Sequence, residues 1–296
     1  MSTVMSPNAP PIAHKITPRD VSFNITDQSP KFWFDNHPFK THFFNAFFTT
    51  FPPGEEFFVR SVIHYRGQIT DPKLQQEITD FSSQEGHHSR CHQDHLDVLT
   101  RQGYTSLERE NKLIDALGKW ANRKYPLTSL LVTLALEHFT ALLAHQALSE
   151  PELFADPAHE DFAPLFKWHA AEEIEHKAVA YDVYMSIDGR YWPRVFAMIG
   201  ATLGLLLILP IRMTPLLYKD GALFSWKTWR SGLPFLFGKN GMFTKPWSHY
   251  VQFYRRDFHP WNVQDYNLVD EMQKLYERGD LLSIGKKGKN QKTVSA

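Results

Sequence analysis

The stretch "KWHAAEEIEHKAVAYDVY", residues 167–184, mixes acids and histidines with alanine, valine and tyrosine in helical periodicity. At about 100° per residue, with His169 as zero, Glu173 falls near +40° and His176 near −20°, in the arc of Leu165, Ala180 and Val183. Two histidines and one carboxylate therefore share the apolar face. Lys167, Glu175 and Asp182 fall elsewhere and read as solvated surface, with Glu172 at the margin. An ionised carboxylate on a core stripe is costly without a cation, so Glu173 demands one.

The pattern recurs. In "FSSQEGHHSRCH" (81–92), Glu85 and His88 form a second Glu-x-x-His, with Ile78, Phe81, His92 and Leu99 on the same side. Two such pairs on separate helices are half of a four-helix arrangement that holds two metal ions, completed by one glutamate from each of two further helices. In "LLVTLALEHFTALLAHQAL" (130–148), Glu137 shares its face with Leu130, Thr133, Ala141 and Ala144. In "PPGEEFFVRSVIHYRGQI" (52–69), Glu55 faces with Phe58, Val59, Val62 and Ile69, whereas Glu56 is rotated toward Arg60 and Ile63, so Glu55 is the choice. Carboxylates bridge and neutralise two divalent cations, and neutral imidazoles complete each metal while leaving positions open. His169, one turn before Glu173, adds a nitrogen. His92 reads as a neighbour of the ligands, His87 and His95 as surface, and Phe58, Thr133 and Ala141 as the walls of a substrate channel.

Strand signals are weak and the long segments carry helical periodicity, so the expected fold is all-α. Helices are predicted over about 38–50, 55–69, 72–101, 106–123, 127–148, 164–188, 246–256 and 263–278, with Pro52-Pro53-Gly54 as breakers before the second. Residues 195–211, "VFAMIGATLGLLLILPI", are uncharged and near the short limit of a membrane span, which suits membrane contact through 195–218 and a buried helix equally. Trp226, Trp229 and Trp247 read as core or membrane-interface anchors. The expected organisation is a flexible arm (1–35), a metal-binding unit (36–190), a hydrophobic helix with aromatic-rich helices (191–280) and a disordered basic tail (281–296). The 32 basic and 32 acidic residues balance, which argues against a nucleic-acid partner. One cysteine, Cys91, and no apolar leader suggest a reducing, cytoplasmic location, with the inner face of the cytoplasmic membrane as a further station.

On "FPPGEEFF" (51–58), "DFSSQEGHHSRCH" (80–92), "LALEHFTALLAH" (134–145), "WHAAEEIEHKAVAYDVY" (168–184) and "DFHPW" (257–261), the chain resembles the ferritin-like bacterial proteins named predicted metal-dependent hydrolase. The order Glu55, Glu85, His88, Glu137, His169, Glu173, His176 is also similar to the seven-ligand di-iron site of the para-aminobenzoate N-oxygenase type. These resemblances imply a ferritin-like four-helix bundle with a dinuclear site and a C-terminal helical appendage. They imply two iron ions, with manganese or zinc as alternatives. The leading expectation is an oxidoreductase that activates dioxygen, uses an electron donor and acts on a small-molecule or lipid substrate. A hydrolase with metal-activated water and a non-catalytic metal-binding protein are the alternatives.

Overall fold

The computed structural model describes residues 14–150 and 158–278, all-α with a single isolated β-bridge between Phe34 and Ala158. The expected basic tail (281–296) lies outside the described residues. The helices are α1 (Pro38–Phe48), α2 (Phe51–Ile63), α3 (Pro72–Arg101), α4 (Ser106–Lys124), α5 (Pro126–Ser149), α6 (Ala163–His176), α7 (Val179–Ile187), α8 (Tyr191–Lys219), α9 (Trp226–Phe237), α10 (Trp247–Gln252) and α11 (Val269–Glu277).

α3 begins where Asp71 caps it, its side chain accepting from the Lys73 amide at 2.9 Å, and Pro72 occupies a first-turn site that needs no amide hydrogen. It stops at Gly103, whose φ of 92° is open to glycine. α2 starts earlier than expected. Pro52 and Pro53 lie inside its first turn rather than ahead of it, because first-turn amides have no intrahelical acceptor to lose. The single helix expected over 164–188 is two, α6 and α7, parted by a turn at Lys177 and Ala178. Lys177 there sends its ammonium inward to the Val263 carbonyl at 2.8 Å and to Asp265 at 2.5 Å.

α2 packs on α3, α4 and α5; α5 packs on α6, α7 and α8; α3 packs on α6 and α7. Helices α2, α3, α6 and α5 thus contact one another in a closed cycle. Ile78, Phe81, Leu130, Leu134 and Val183, all fully or nearly fully buried, form one core inside it. The segment "DFHPW" braces the outer side: Tyr181 donates to the Phe258 carbonyl, and His259 Nε2 lies 2.9 Å from Asp182 Oδ1. The arm expected to be flexible is packed from residue 14 onward, with Ile16, Arg19, Val21, Trp33 and Phe34 buried. Its first 13 residues lie outside the described part. α5 and α8 are both long and apolar enough to cross a membrane, but α5 is largely enclosed by neighbours and α8 is not.

Candidate metal centre

The four helices of the cycle each bring acids or histidines to one point. Glu55 comes from the first turns of α2, Glu85 and His88 from the middle of α3, Glu137 from α5, and His169, Glu173 and His176 from α6. None of the seven is more than 5% exposed. Glu56 points outward and pairs with Arg60 at 2.8 Å, which leaves Glu55 as the inward carboxylate.

His176 Nε2 lies 3.1 Å from Glu85 Oε1, 3.4 Å from Glu137 Oε2 and 3.6 Å from Glu173 Oε2. On the other side His88 Nδ1 lies 3.7 Å from Glu173 Oε1, and His169 Nε2 lies 2.8 Å from that oxygen. Donor atoms of Glu85, Glu137 and His176 lie within 4.8 Å of one another, as do those of Glu55, Glu85 and His88, and those of His88, His169 and Glu173. His92 joins them: Glu55, His92 and His169 form a fourth such group, and His92 Nε2 sits 2.6 Å from His169 Nδ1. His92 is therefore beside the seven, one turn past His88 on the same face, with its Nε2 on His169.

A polar layer behind the donors fixes their directions. Glu172 Oε2 holds His88 Nε2 at 3.1 Å, and Gln84 Oε1 holds His176 Nδ1 at 2.9 Å, so in each ring the other nitrogen faces the cluster. Glu172 also accepts from Trp168 Nε1 and from Arg19 Nη1, each at 3.1 Å. Arg19 Nη2 donates to Glu175 Oε1 at 2.6 Å, and Gln84 Nε2 donates to Glu175 Oε2 at 2.7 Å. Glu175, read from its helical angle as solvated, is fully enclosed because the N-terminal segment crosses that side of α6 and brings Arg19 to it. His95, read as surface, is buried between Trp33 and Phe162 for the same reason. Gln84 could have been suspected from its place beside Glu85; Arg19 has no local signal.

Do these residues fit metal ions? Seven of the eight carboxylate oxygens of Glu55, Glu85, Glu137 and Glu173 are buried and accept no hydrogen bond, and Glu173 Oε1 alone is bonded, to His169. His88 Nδ1 and His176 Nε2 are equally without hydrogen-bond partners. Buried oxygens of this kind are normally satisfied, and cations are the species that satisfy so many acceptors together. Without them the charges are frustrated. Burial, then the charges of neighbouring carboxylates, pushes Glu55 well above the usual carboxylate range; burial does the same to Glu137 and raises Glu85. Burial would raise Glu173 too, but the charge of His176, then the hydrogen bond from His169 and its charge, bring it well below that range. Burial drives His88 and His92 well below the ordinary imidazole value, as befits neutral ligands. The donor set fits metal.

A narrow cleft of about 50 Å³ reaches this cluster at His169 and Glu173. Its walls are Phe48, Phe51, Leu143, Phe166 and Met242, with Thr140 near the ligands. Phe58, Thr133 and Ala141, expected as channel walls, do not line it. Phe58 and Thr133 are enclosed, and Thr133 is bonded to Ser61 at 2.7 Å.

An all-α chain that converges acids and imidazoles in this way has the donors of a metal-dependent protein. The chain belongs to the family described as predicted metal-dependent hydrolase, whose model matches residues 17–264. Comparison with curated proteins and with solved structures gives no match. The family corrects the expectation of a dioxygen-activating oxidoreductase, because it places the chain among predicted metal-dependent hydrolases. Ligand order and helical spacing could not separate the two chemistries, since both draw on carboxylates and imidazoles around open metal positions.

Proposed function

We propose that the protein is a hydrolase in which Glu55, Glu85, His88, Glu137, His169, Glu173 and His176 hold two divalent first-row metal ions. The observation that carries this reading is the set of seven buried carboxylate oxygens without hydrogen bonds, beside a family of metal-dependent hydrolases. Iron, manganese and zinc all suit such donors. When bound, the ions supply Lewis acidity and bring the pKa of water toward neutrality.

The remaining work belongs to side chains. Glu172 and Gln84 hold His88 and His176 in one tautomer and direction, which keeps the donors in place through turnover. The apolar cleft walls exclude bulk water and strengthen every charge interaction inside. In hydrolysis, water oxygen adds to the electrophilic carbon, the bond to the leaving oxygen breaks, and the proton lost by water ends on that leaving group. The cleft ends at His169 and Glu173, so a substrate bond entering it would meet the ions beside that pair.

The test is metal depletion followed by reloading with zinc, manganese or iron(II), with Glu85→Ala and Glu173→Ala as controls. About two ions per chain are expected, by analogy with carboxylate sites between helices. Hydrolysis of a panel of carboxylic esters, amides and phosphoesters should return with metal and stay absent in both controls. A fully loaded protein that cleaves none of them rejects the reading.

A further inference from the structure

α8 inverts the usual arrangement of a helix at a protein surface. Trp192, Phe196, Leu203, Leu206, Leu207 and Tyr218 are each more than half exposed. The charges within that span, Arg194 and Arg212, are turned inward instead. Arg194 Nη1 donates to the Phe253 carbonyl at 2.8 Å. Arg212 Nη2 donates to Thr49 Oγ1 at 2.8 Å, and its Nη1 pairs with Glu110 Oε2 at 3.1 Å. A water-facing helix would hide the leucines and expose the guanidiniums. From Trp192 to Tyr218 the charge-free face runs about 39 Å at 1.5 Å per residue. An apolar surface of that extent marks an interaction site.

Charge names the occupant. Residues 190–256 contain ten lysines and arginines and one acid, Asp220, although the whole chain is neutral. Asp220 is itself enclosed, bonded to His42 at 2.8 Å and Tyr104 at 2.6 Å. On α9 and just after it, Lys227, Arg230 and Lys239 are exposed and make no ion pair among the described residues. Phe224, Trp226 and Trp247 are exposed there as well. Unpaired basic residues in one segment with exposed aromatic and apolar side chains, and no acid from 221 to 256, match an anionic lipid surface.

Beneath this face lies a second cavity, about 630 Å³, walled by Leu205, Leu209 and Met213. Exposed Leu206, Leu233, Phe237 and Trp247 belong to its lining, so the cavity opens on the same surface. Its volume is that of a site for a substantial apolar ligand. It meets the metal-centre cleft wall to wall: Leu143 lines both, and the consecutive residues Met242 and Phe243 line one each.

We infer that the surface of α8, α9 and α10 rests in an anionic bilayer, and that the cavity beneath it leads the acyl chain of a lipid ester toward His169 and Glu173. The ester substrate rests on the hydrolytic reading; the bilayer contact does not. Full-length protein should float with vesicles of phosphatidylcholine and phosphatidylglycerol at 3:1, and float less in 1 M salt. Brominated phosphatidylglycerol should quench its tryptophan fluorescence. Leu203→Glu/Leu207→Glu alters two exposed side chains and should leave the circular dichroism unchanged while reducing flotation at least tenfold. On metal-loaded protein, p-nitrophenyl esters should be cleaved faster as the acyl chain lengthens from 2 to 16 carbons. Leu143→Trp, which thickens the shared wall, should remove that preference and leave metal content intact. Wild type that stays at the bottom of the gradient overturns the bilayer contact, and ester cleavage indifferent to chain length overturns the delivery route. Flotation and quenching without cleavage of any ester support the bilayer contact and overturn delivery, and the hydrolytic reading falls with it only when the amides and phosphoesters are not cleaved either.

Discussion

Arg19 Nη2 and Glu175 Oε1 meet at 2.6 Å, fully buried, 156 residues apart in the chain. Arg19 Nη1 also reaches Glu172, which holds His88, so one guanidinium ties the N-terminal segment to the layer behind the metal donors. Burial alone would lower the Arg19 pKa, but hydrogen bonding and the charges of Glu175 and Glu172 raise it. Replacing Arg19 with methionine leaves two enclosed carboxylates without their cation. A loss of about 3–5 kcal/mol is expected from breaking such a buried pair. Metal affinity should fall on the order of 10- to 100-fold, because the support of His88 is loosened. Thermal denaturation and competitive metal titration measure the two effects, and an unchanged metal affinity would show that Glu172 holds His88 unaided.

The convergence of these side chains could be read from the chain because a carboxylate or imidazole on the apolar face of a helix leaves a local trace. Glu85 and His88, or Glu173 and His176, are three residues apart on apolar faces, and all seven expected residues converge. The bounds of α3 were legible for the same reason: Asp71, Pro72 and Gly103 are local punctuation. What stayed hidden depends on segments distant in sequence. Glu175 has the helical angle of a solvated residue until Arg19 and Gln84 arrive over it. α9 was not foreseen, since Gly232 and Pro234 argue against a helix and its stability comes from docking on α1.

That docking rests on a close approach. A Cβ at Gly232 would lie 2.3 Å from Cγ of Phe39, a residue buried in the aromatic core of α1. Gly232→Ala should therefore destabilise by about 1–3 kcal/mol despite alanine's better helix propensity. Adding Phe39→Leu should recover part of the loss. Urea denaturation of the two variants decides it, and a neutral or stabilising Gly232→Ala would mean that α9 can shift away from α1 at little cost.

His95 and His138 make stability fall with acid. Burial brings each imidazole down to about 3 from an ordinary 6.5, with nearby cations adding to the effect at His138. Both are neutral when folded and take up a proton more readily when unfolded. Their contribution is complete above about pH 6.5 and is lost as pH falls from there toward 3. Each is worth on the order of 3 kcal/mol between pH 6.5 and 4, at about 1.4 kcal/mol per pH unit. His95→Phe keeps a ring beside Trp33 and Phe162 and removes one proton from the linkage. Its unfolding free energy should vary less steeply over that range than the wild type's. Parallel curves would show that His95 is already hydrated or charged in the folded protein.

His92 and His169 meet where the cleft reaches the cluster at His169, and their order decides how the metal centre is built. His169 Nδ1 is held by His92 at 2.6 Å, which turns its Nε2 onto Glu173. If His169 is a ligand and His92 its support, His169→Ala should leave the helix intact, because alanine favours it, but lower the affinity for one metal ion. His92→Ala should weaken the same ion less, on the order of tenfold, by freeing the ring that it positions. Cobalt(II) substitution reads this without turnover: the visible d–d bands report how many donors surround each ion. His169→Ala should change the bands of one cobalt and spare the other, while His92→Ala should keep their number and shift them slightly. The reverse ranking, with His92→Ala causing the larger loss, would make His92 the ligand and His169 the residue that carries protons at the cleft.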